Sequence, residues 1–248
     1  MLIKGLVIKE YVVGEGDKYI TLFTKEIGKI QVYATRAKQH QNGLSASTQL
    51  FVYGQFNISK TKNTYRVASV EIIEMFHSIR EDILTLSYAS YIMEFLLEVT
   101  REGEKYHELL NLSLHTLWAL SKKIISPKII KHIFELRALK YLGFMPELTK
   151  CVICYADFCE TNEKIRFSLE EGGIICGKCQ ITTPYYITNS VHYMMQYVLA
   201  TPLKSLYCFE ISNKVAKDFI YIIRRYTVYY VETDFKTAHF IQKLEEML

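Results

Sequence analysis

Two Cys-x-x-Cys pairs, Cys151/Cys154 and Cys176/Cys179, stand twenty-one residues apart in a chain of 248 residues that has six cysteines. This spacing constrains the fold more than any other feature. A Cys-x-x-Cys turn lets two thiolates reach one ion from a single knuckle, and two knuckles complete the tetrahedron that zinc prefers. The quartet therefore reads as a four-thiolate zinc site; four buried or redox-active thiols without metal are the alternative. The metal reading goes with a reducing compartment. The opening MLIKGLVIKEYVV alternates with charges and lacks the apolar stretch and small-residue cleavage site of a secretory signal. The most apolar helical stretch, Tyr88 to Val99, carries Glu94 and falls short of the roughly 20 residues that span a bilayer. A soluble cytoplasmic protein is expected.

A catalytic zinc keeps one position open for water, with a general base nearby. Here four cysteines fill the shell and the segment between them has no histidine, so a structural ion is expected. Cys159 and Cys208 are left as spares. Arg166 to Leu169 and Gly172-Gly173 suggest a small hairpin between the knuckles, which places a zinc element at about 148–182.

Upstream, β-branched and aromatic runs separated by short polar breaks predict five strands near 2–13, 18–25, 29–35, 49–59 and 65–76. Gly14-Glu15-Gly16-Asp17, Glu26-Ile27-Gly28 and Lys60-Thr61-Lys62-Asn63 supply turns. Five strands with one longer connection between the third and fourth fit a small closed barrel of the OB type, with an open sheet as the alternative. Alternation puts Phe51 and Tyr53 opposite Leu50 and Val52, and no single ring is assigned to an outward face. After Phe76 the period becomes helical, through about Arg101 and again from Tyr106 to Ile125. Ser126-Pro127 opens a third helix and Gly143 closes it. Two more follow at Ser190 to Ala200 and Ser212 to Glu232, with a short one at the end. The expected fold is thus α+β and multidomain: an N-terminal five-stranded OB-type β-barrel at 1–80, then an α-helical domain at 81–248 with an inserted four-cysteine zinc-binding element.

The helix after Pro127 places cations oddly. At about 100° per residue from Lys128, Arg137 falls near 180° and Lys140 near 120°, within the arc of roughly 80° to 220° that holds Ile129, Ile130, Ile133, Leu136 and Tyr141. A buried unpaired cation is costly. Either these side chains snorkel to the rim or an acid meets them.

The formal charge of +4 is also unevenly placed. Residues 1–80 hold 11 Lys or Arg against 6 Asp or Glu, and the remainder 19 against 20. A basic excess confined to the barrel suits a polyanion.

The stretch FELRALKYLGFMPELTKCVIC, the later RFSLEEGGIICGKC and the opening KGLVIKEYVVGEGDKYITLFTKEIGKI together resemble the bacterial recombination mediator family RecO. The likeness covers essentially the whole chain. It implies an OB-fold domain and a helical domain with the zinc element, binding of single- and double-stranded DNA, and annealing of complementary strands. It also implies work with RecR and the single-stranded-DNA-binding protein SSB to load the recombinase RecA. In one place the chain departs from the pattern. Relatives carry a dense basic run after the third strand, where TRAKQHQNGLSAS has only Arg36, Lys38 and His40.

Single-stranded DNA is held by a basic groove along the phosphates and by aromatic faces for the bases. Arg36 and Lys38 in the long connection and Lys60 and Lys62 in the last hairpin are the DNA-binding candidates, with Lys18, Lys25 and Lys29 as extensions; solvated surface charge is the alternative at each. The resemblance implies that the helical domain takes the SSB tail, whose end is acidic residues and a phenylalanine with a free carboxylate. Arg137 and Lys140 are the partner-binding candidates, because guanidinium grips carboxylate in a fork. The sequence shows no catalytic constellation, and a mediator without covalent chemistry is expected. A protein-binding adaptor and a metal-dependent nuclease are the competing readings.

Overall fold

The computed structural model describes residues 1–14, 16–37, 44–61, 64–158 and 164–247. Strand β1 (Leu2–Val13) pairs antiparallel with β2 (Asp17–Thr24), and β2 with β3 (Gly28–Ala34). β3 lies parallel to β5 (Tyr65–Glu74); β4 (Tyr53–Lys60) pairs with β5 on one side and with β1 on the other, closing a five-stranded barrel in the order 1-2-3-5-4. This is the OB order expected from the strand pattern. A short helix not anticipated from sequence, α1 (Leu44–Ser47), precedes β4, and β4 starts later than expected because Phe51 takes a left-handed turn at φ 70°.

Alternation decides the barrel's inside and outside. Ile3, Val7, Ile20, Leu22, Ile30, Val32, Phe56, Ile58 and Val67 fill the interior. The pairing of β1 shifts between Val7 and Lys9. This bulge inserts one residue, so the odd-numbered positions of β1 point inward before it and outward after it. Leu6, Val7 and Ile8 are all buried in consequence, and Tyr11 emerges on the outer surface.

After a short 3-10 turn, α2 (Ile83–Val99) starts at Asp82, whose carboxylate accepts from the Thr85 N–H. α2 packs on β1 and α3 (His107–Ser121) on β2, which covers one part of the barrel's outer face; Phe23, outward on β2, is buried there beside Tyr106. α3 ends at Ser121, earlier than the sequence suggests, and Lys123 turns with positive φ. α4 (Pro127–Tyr141) begins as expected at Ser126-Pro127, although the Ser126 carbonyl, not its hydroxyl, receives the first N–H groups. Its end is a Schellman turn: the Gly143 N–H bonds the Lys140 carbonyl and the Phe144 N–H the Leu139 carbonyl, with Gly143 at φ 90°.

The cysteine segment folds as the expected hairpin, β6 (Ile165–Ser168) with β7 (Gly173–Ile175), joined by an unanticipated third strand, β8 (Tyr185–Ile187), in the order 7-6-8. α5 (Asn189–Ala200), α6 (Asn213–Val231) and α7 (Lys236–Met247) follow. Of the stripe on α6 that reads as a core seam, Phe219, Ile222 and Tyr226 are buried, Val215 is half-buried and Tyr229 is exposed.

Strands give way to helices near residue 80, but packing divides the chain elsewhere. One compact unit comprises Met1–Lys122 with Phe235–Leu248, the other Lys123–Asp234. α7 returns to the first unit, where Glu94 of α2 accepts from the N–H groups of Lys236 and Thr237 and Glu245 accepts from the Tyr88 hydroxyl. In the second unit α4 packs against α5 and α6 and is buried on every side from Ile129 to Leu139.

Candidate metal centre and nucleic-acid interface

Backbone pairing builds the first cysteine knuckle. The Glu147 N–H bonds the Gly172 carbonyl, the Ile174 N–H bonds the Glu147 carbonyl, and the Val152 N–H bonds the Ile174 carbonyl, so residues 147–152 run along β7. Only glycine allows that approach: a Cβ on Gly173 would lie 2.5 Å from the Glu147 oxygen and 2.6 Å from Val152. The Glu147 carboxylate accepts from the Thr149 hydroxyl and the N–H groups of Thr149 and Lys150, and these bonds, the hydroxyl's foremost, hold its pKa below the usual range. His192 of α5 pairs its Nε2 with the Leu148 carbonyl at 2.7 Å. The second knuckle follows β7, and the Arg166 guanidinium donates to the Cys176 carbonyl.

These elements bring Cys151, Cys154, Cys176 and Cys179 together, all four sulphurs within 4.8 Å of one another. Cys154 Sγ and Cys176 Sγ are 3.6 Å apart. Zinc–sulphur bonds of about 2.3 Å in a tetrahedron imply sulphur–sulphur edges of ~3.8 Å, so the donor set fits a tetrahedral thiophilic ion. The surroundings favour thiolate. Burial resists ionisation of Cys151, but the N–H groups of Cys154, Cys176 and Ile153 outweigh it and bring the thiol to about 6. N–H groups of Cys179 and Lys178 lower Cys176. Cys179, pressed first by the Cys154 thiol and then by burial, is pushed up to about 12. Four adjacent thiols cannot all ionise on their own; a divalent cation removes that conflict. Cys159 lies outside the described residues, and Cys208 is exposed and apart from the quartet.

On the barrel, the bulge in β1 and the strand pairing create an outer row that the sequence alone does not assign. Tyr11 pairs with Tyr19, Tyr19 with Tyr33 and Tyr33 with Arg66, across β1, β2, β3 and β5. The rings of Tyr11 and Tyr19 stack at 5.4 Å and 16°, Tyr19 meets Tyr33 edge-on at 4.9 Å, and the Arg66 guanidinium lies 5.6 Å from the Tyr33 centroid. Tyr11 and Arg66 are exposed, and Tyr19 and Tyr33 half-buried. Asp17 ties down the end of the row, taking the Tyr33 hydroxyl and, at 2.6 Å, the Arg36 N–H; these bonds, the Arg36 N–H first, lower its pKa.

Arg36 is exposed beside this ladder in sequence, at φ 53°, and Lys60 is exposed 5.4 Å from the Tyr65 ring. Lys38 and Lys62 lie outside the described residues. Two extension lysines are engaged elsewhere: Lys18 pairs with Glu10 at 2.7 Å, and Lys29 reaches the Leu97 and Thr100 carbonyls at the end of α2. Lys25 is exposed.

The odd cations of α4 meet backbone oxygens. Arg137, 4% exposed, donates to the carbonyls of Leu199 and Thr201, and Lys140 donates to Leu199 at 2.8 Å. They cap the C-terminus of α5, where the helix dipole is negative. Burial lowers both pKa values. The helical projection found the anomaly but not its partner, because α5 lies more than fifty residues downstream.

A closed OB-ordered barrel followed by a helical unit with a four-cysteine centre defines a class of barrel proteins that carry a cysteine-knuckle element. Sequence models for Recombination protein O match this chain at residues 1–76 for the N-terminal region and 80–239 for the C-terminal region. The curated DNA repair protein RecO of Acetivibrio thermocellus is 32% identical over 98% of this chain and 96% of its own length. That of Alkaliphilus metalliredigens is 35% identical over 90% and 94%, and that of Halalkalibacterium halodurans 30% over 98% and 95%. The chain belongs to the RecO family of DNA repair proteins. Among its described residues no helix is long and apolar enough to cross a membrane.

Proposed function

We propose that this chain is a non-enzymatic recombination mediator. It binds single- and double-stranded DNA through the barrel, anneals complementary strands, and acts with RecR on SSB-coated DNA to help load RecA. The observation that carries this reading is the ladder Tyr11–Tyr19–Tyr33–Arg66. Three aromatic rings and a guanidinium at successive paired positions form a platform on which bases stack without regard to sequence, with cations for the phosphates. Arg36 and Lys60, with Lys38 and Lys62, extend the basic rim. The four cysteines hold one structural zinc ion that fixes the segment between α4 and α5; with all four positions taken by thiolates, the ion supplies shape and not a bound water.

Family membership supports SSB and RecR as partners. For the SSB tail, Arg137 and Lys140 remain the proposed site, with Lys140 the half-exposed member. Arg137 also braces α5, so peptide titration is best read on Lys140→Ala, whose unchanged tail affinity would reject this assignment. The central experiment is strand annealing with and without SSB. Annealing that survives SSB coating, with no cleavage of labelled DNA in divalent metal, is expected. A protein that neither binds DNA at low salt nor anneals it would favour the adaptor reading.

A further inference from the structure

α6 has a buried face of Phe219, Ile222, Ile223, Tyr226 and Thr227. Its other side carries Tyr221, Arg225, Val228 and Tyr229 at i, i+4, i+7 and i+8, a single stripe, with Arg224 beside it. Across from the stripe stand Leu169, just past the end of β6, and Tyr185 of β8, which with Arg224, Arg225, Val228 and Tyr229 line an open cavity of about 490 Å³; Tyr221 stands beside it against Arg225. The Arg225 guanidinium lies 4.0 Å from the Tyr221 ring centroid and 5.9 Å from that of Tyr185. Tyr221 is 51% exposed, Tyr229 43% and Val228 61%. Among the described residues neither Arg224 nor Arg225 has a carboxylate within ion-pair distance.

Packing does not account for this arrangement. Two cations without acids, a ring-stacked guanidinium and exposed tyrosines around a cavity of ligand size make a site built for an anion with a flat face. A guanidinium stacked on tyrosine keeps its N–H edge for phosphate oxygens while its π surface continues the ring. We propose that this cavity is a second contact for single-stranded nucleic acid, carried by the zinc-bearing unit, in which one base stacks on the tyrosine–Arg225 group and neighbouring phosphates meet Arg224 and Arg225. The lining holds two cations and no acid, which suits a chain with a negative charge at every residue. An acidic peptide would need one fork and a deep apolar pocket for its anchor, whereas here the apolar surface, Leu169 and Val228 with the carbon faces of Tyr185 and Tyr229, borders two cations in an open cavity.

The inference rests on the reading of this chain as a nucleic-acid binder, and the test separates the two. The full-length, zinc-loaded protein is titrated with a fluorescent oligothymidylate over a salt series. Variants are Arg224→Ala/Arg225→Ala, Arg225→Lys, Tyr221→Ala and, on the barrel, Arg66→Ala. All the side chains changed on α6 are exposed, and equal melting profiles check the fold. The double variant should bind about tenfold more weakly, with a log–log salt slope shallower by about 1.4, from roughly 0.7 per lost phosphate contact. Tyr221→Ala should weaken binding about fivefold with the slope unchanged. Arg225→Lys should keep the slope and lose affinity. If the double variant matches wild type while Arg66→Ala binds more weakly, the second site falls and the barrel reading stands. If wild type itself does not bind at low salt, both fall. If the double variant binds DNA normally but loses an acidic peptide with a free C-terminal carboxylate, the cavity is a peptide site and the proposal is overturned.

Discussion

The barrel and the cysteine sheet are both small β structures, yet different things hold them in shape. In the barrel every strand from β1 to β5 has a neighbour on both sides, and strands of seven to twelve residues enclose a packed interior. The cysteine sheet has strands of four, three and three residues, with β8 at one edge and, at the other, β7 covered only by the irregular segment 147–152. So short an open sheet buries too little apolar surface to be stable alone. The knuckles at its ends do what closure does for the barrel: they join backbone segments that hydrogen bonds alone would leave to fray.

The largest expected effect follows directly. Structural zinc in small domains supplies folding free energy on the order of 10 kcal/mol. Chelation, or Cys151→Ser, should therefore abolish amide protection across residues 147–152 and β6–β8 while β1–β5 keep theirs, read by hydrogen exchange with metal content in parallel. Full protection of β6–β8 in metal-free protein would break the comparison. The reverse experiment comes next in size. Phe56 is fully buried in the barrel interior, and Phe56→Ala should cost roughly 3–5 kcal/mol of barrel stability. Metal content should stay at the wild-type value.

A third prediction concerns α4, the helix packed between α5 and α6. His132 on α4 is buried, its Nδ1 2.7 Å from the Lys128 carbonyl. Burial, helped by the Lys131 charge, lowers its pKa to about 4 from 6.5. Between those values the unfolded chain binds a proton that the folded chain refuses, so stability falls as pH drops from 6.5 to 4, by about 3 kcal/mol in full. Thiol protonation weakens metal binding in the same direction. The difference between wild type and His132→Gln in urea melts across this window isolates the histidine's share; parallel curves would remove it.

What the sequence disclosed and what it hid divide along the same line between local and long-range information. The knuckle spacing, the hairpin between them, the glycine stop of α4 and the five strands are written in neighbouring residues, and each stands where that local pattern puts it apart from the later start of β4. The tyrosine ladder was not legible, because it depends on one inserted residue near Ile8 that reverses which side chains of β1 face out. Arg66 is not distinguished by its neighbours either: its significance comes from pairing with Tyr33, more than thirty residues earlier. Arg137 and Lys140 show the limit from the other side. Their place on an apolar arc was visible, but the carbonyls that receive them belong to a helix end that no local window contains. α4 also reads as amphipathic in isolation and is buried all round, because helices on two sides of it are supplied by distant sequence.

The smallest effect tests whether the ladder is a surface for binding or a brace for the barrel. Tyr19 sits between Tyr11 and Tyr33, and an aromatic pair adds about 0.5–1.5 kcal/mol to a fold beyond its burial. Arg66 is exposed and contributes little to stability. Arg66→Gln should leave the melting temperature unchanged and weaken single-stranded DNA binding by about 1 kcal/mol, with a shallower salt slope. Tyr19→Phe keeps the ring and should keep both stability and affinity, whereas Tyr19→Ala should lower both by about 1 kcal/mol. A ladder that serves only as a brace would lose stability in Tyr19→Ala and show no change of DNA affinity in either Tyr19→Ala or Arg66→Gln. That result would leave the proposed DNA contact of the barrel to the candidate cations Arg36, Lys38, Lys60 and Lys62.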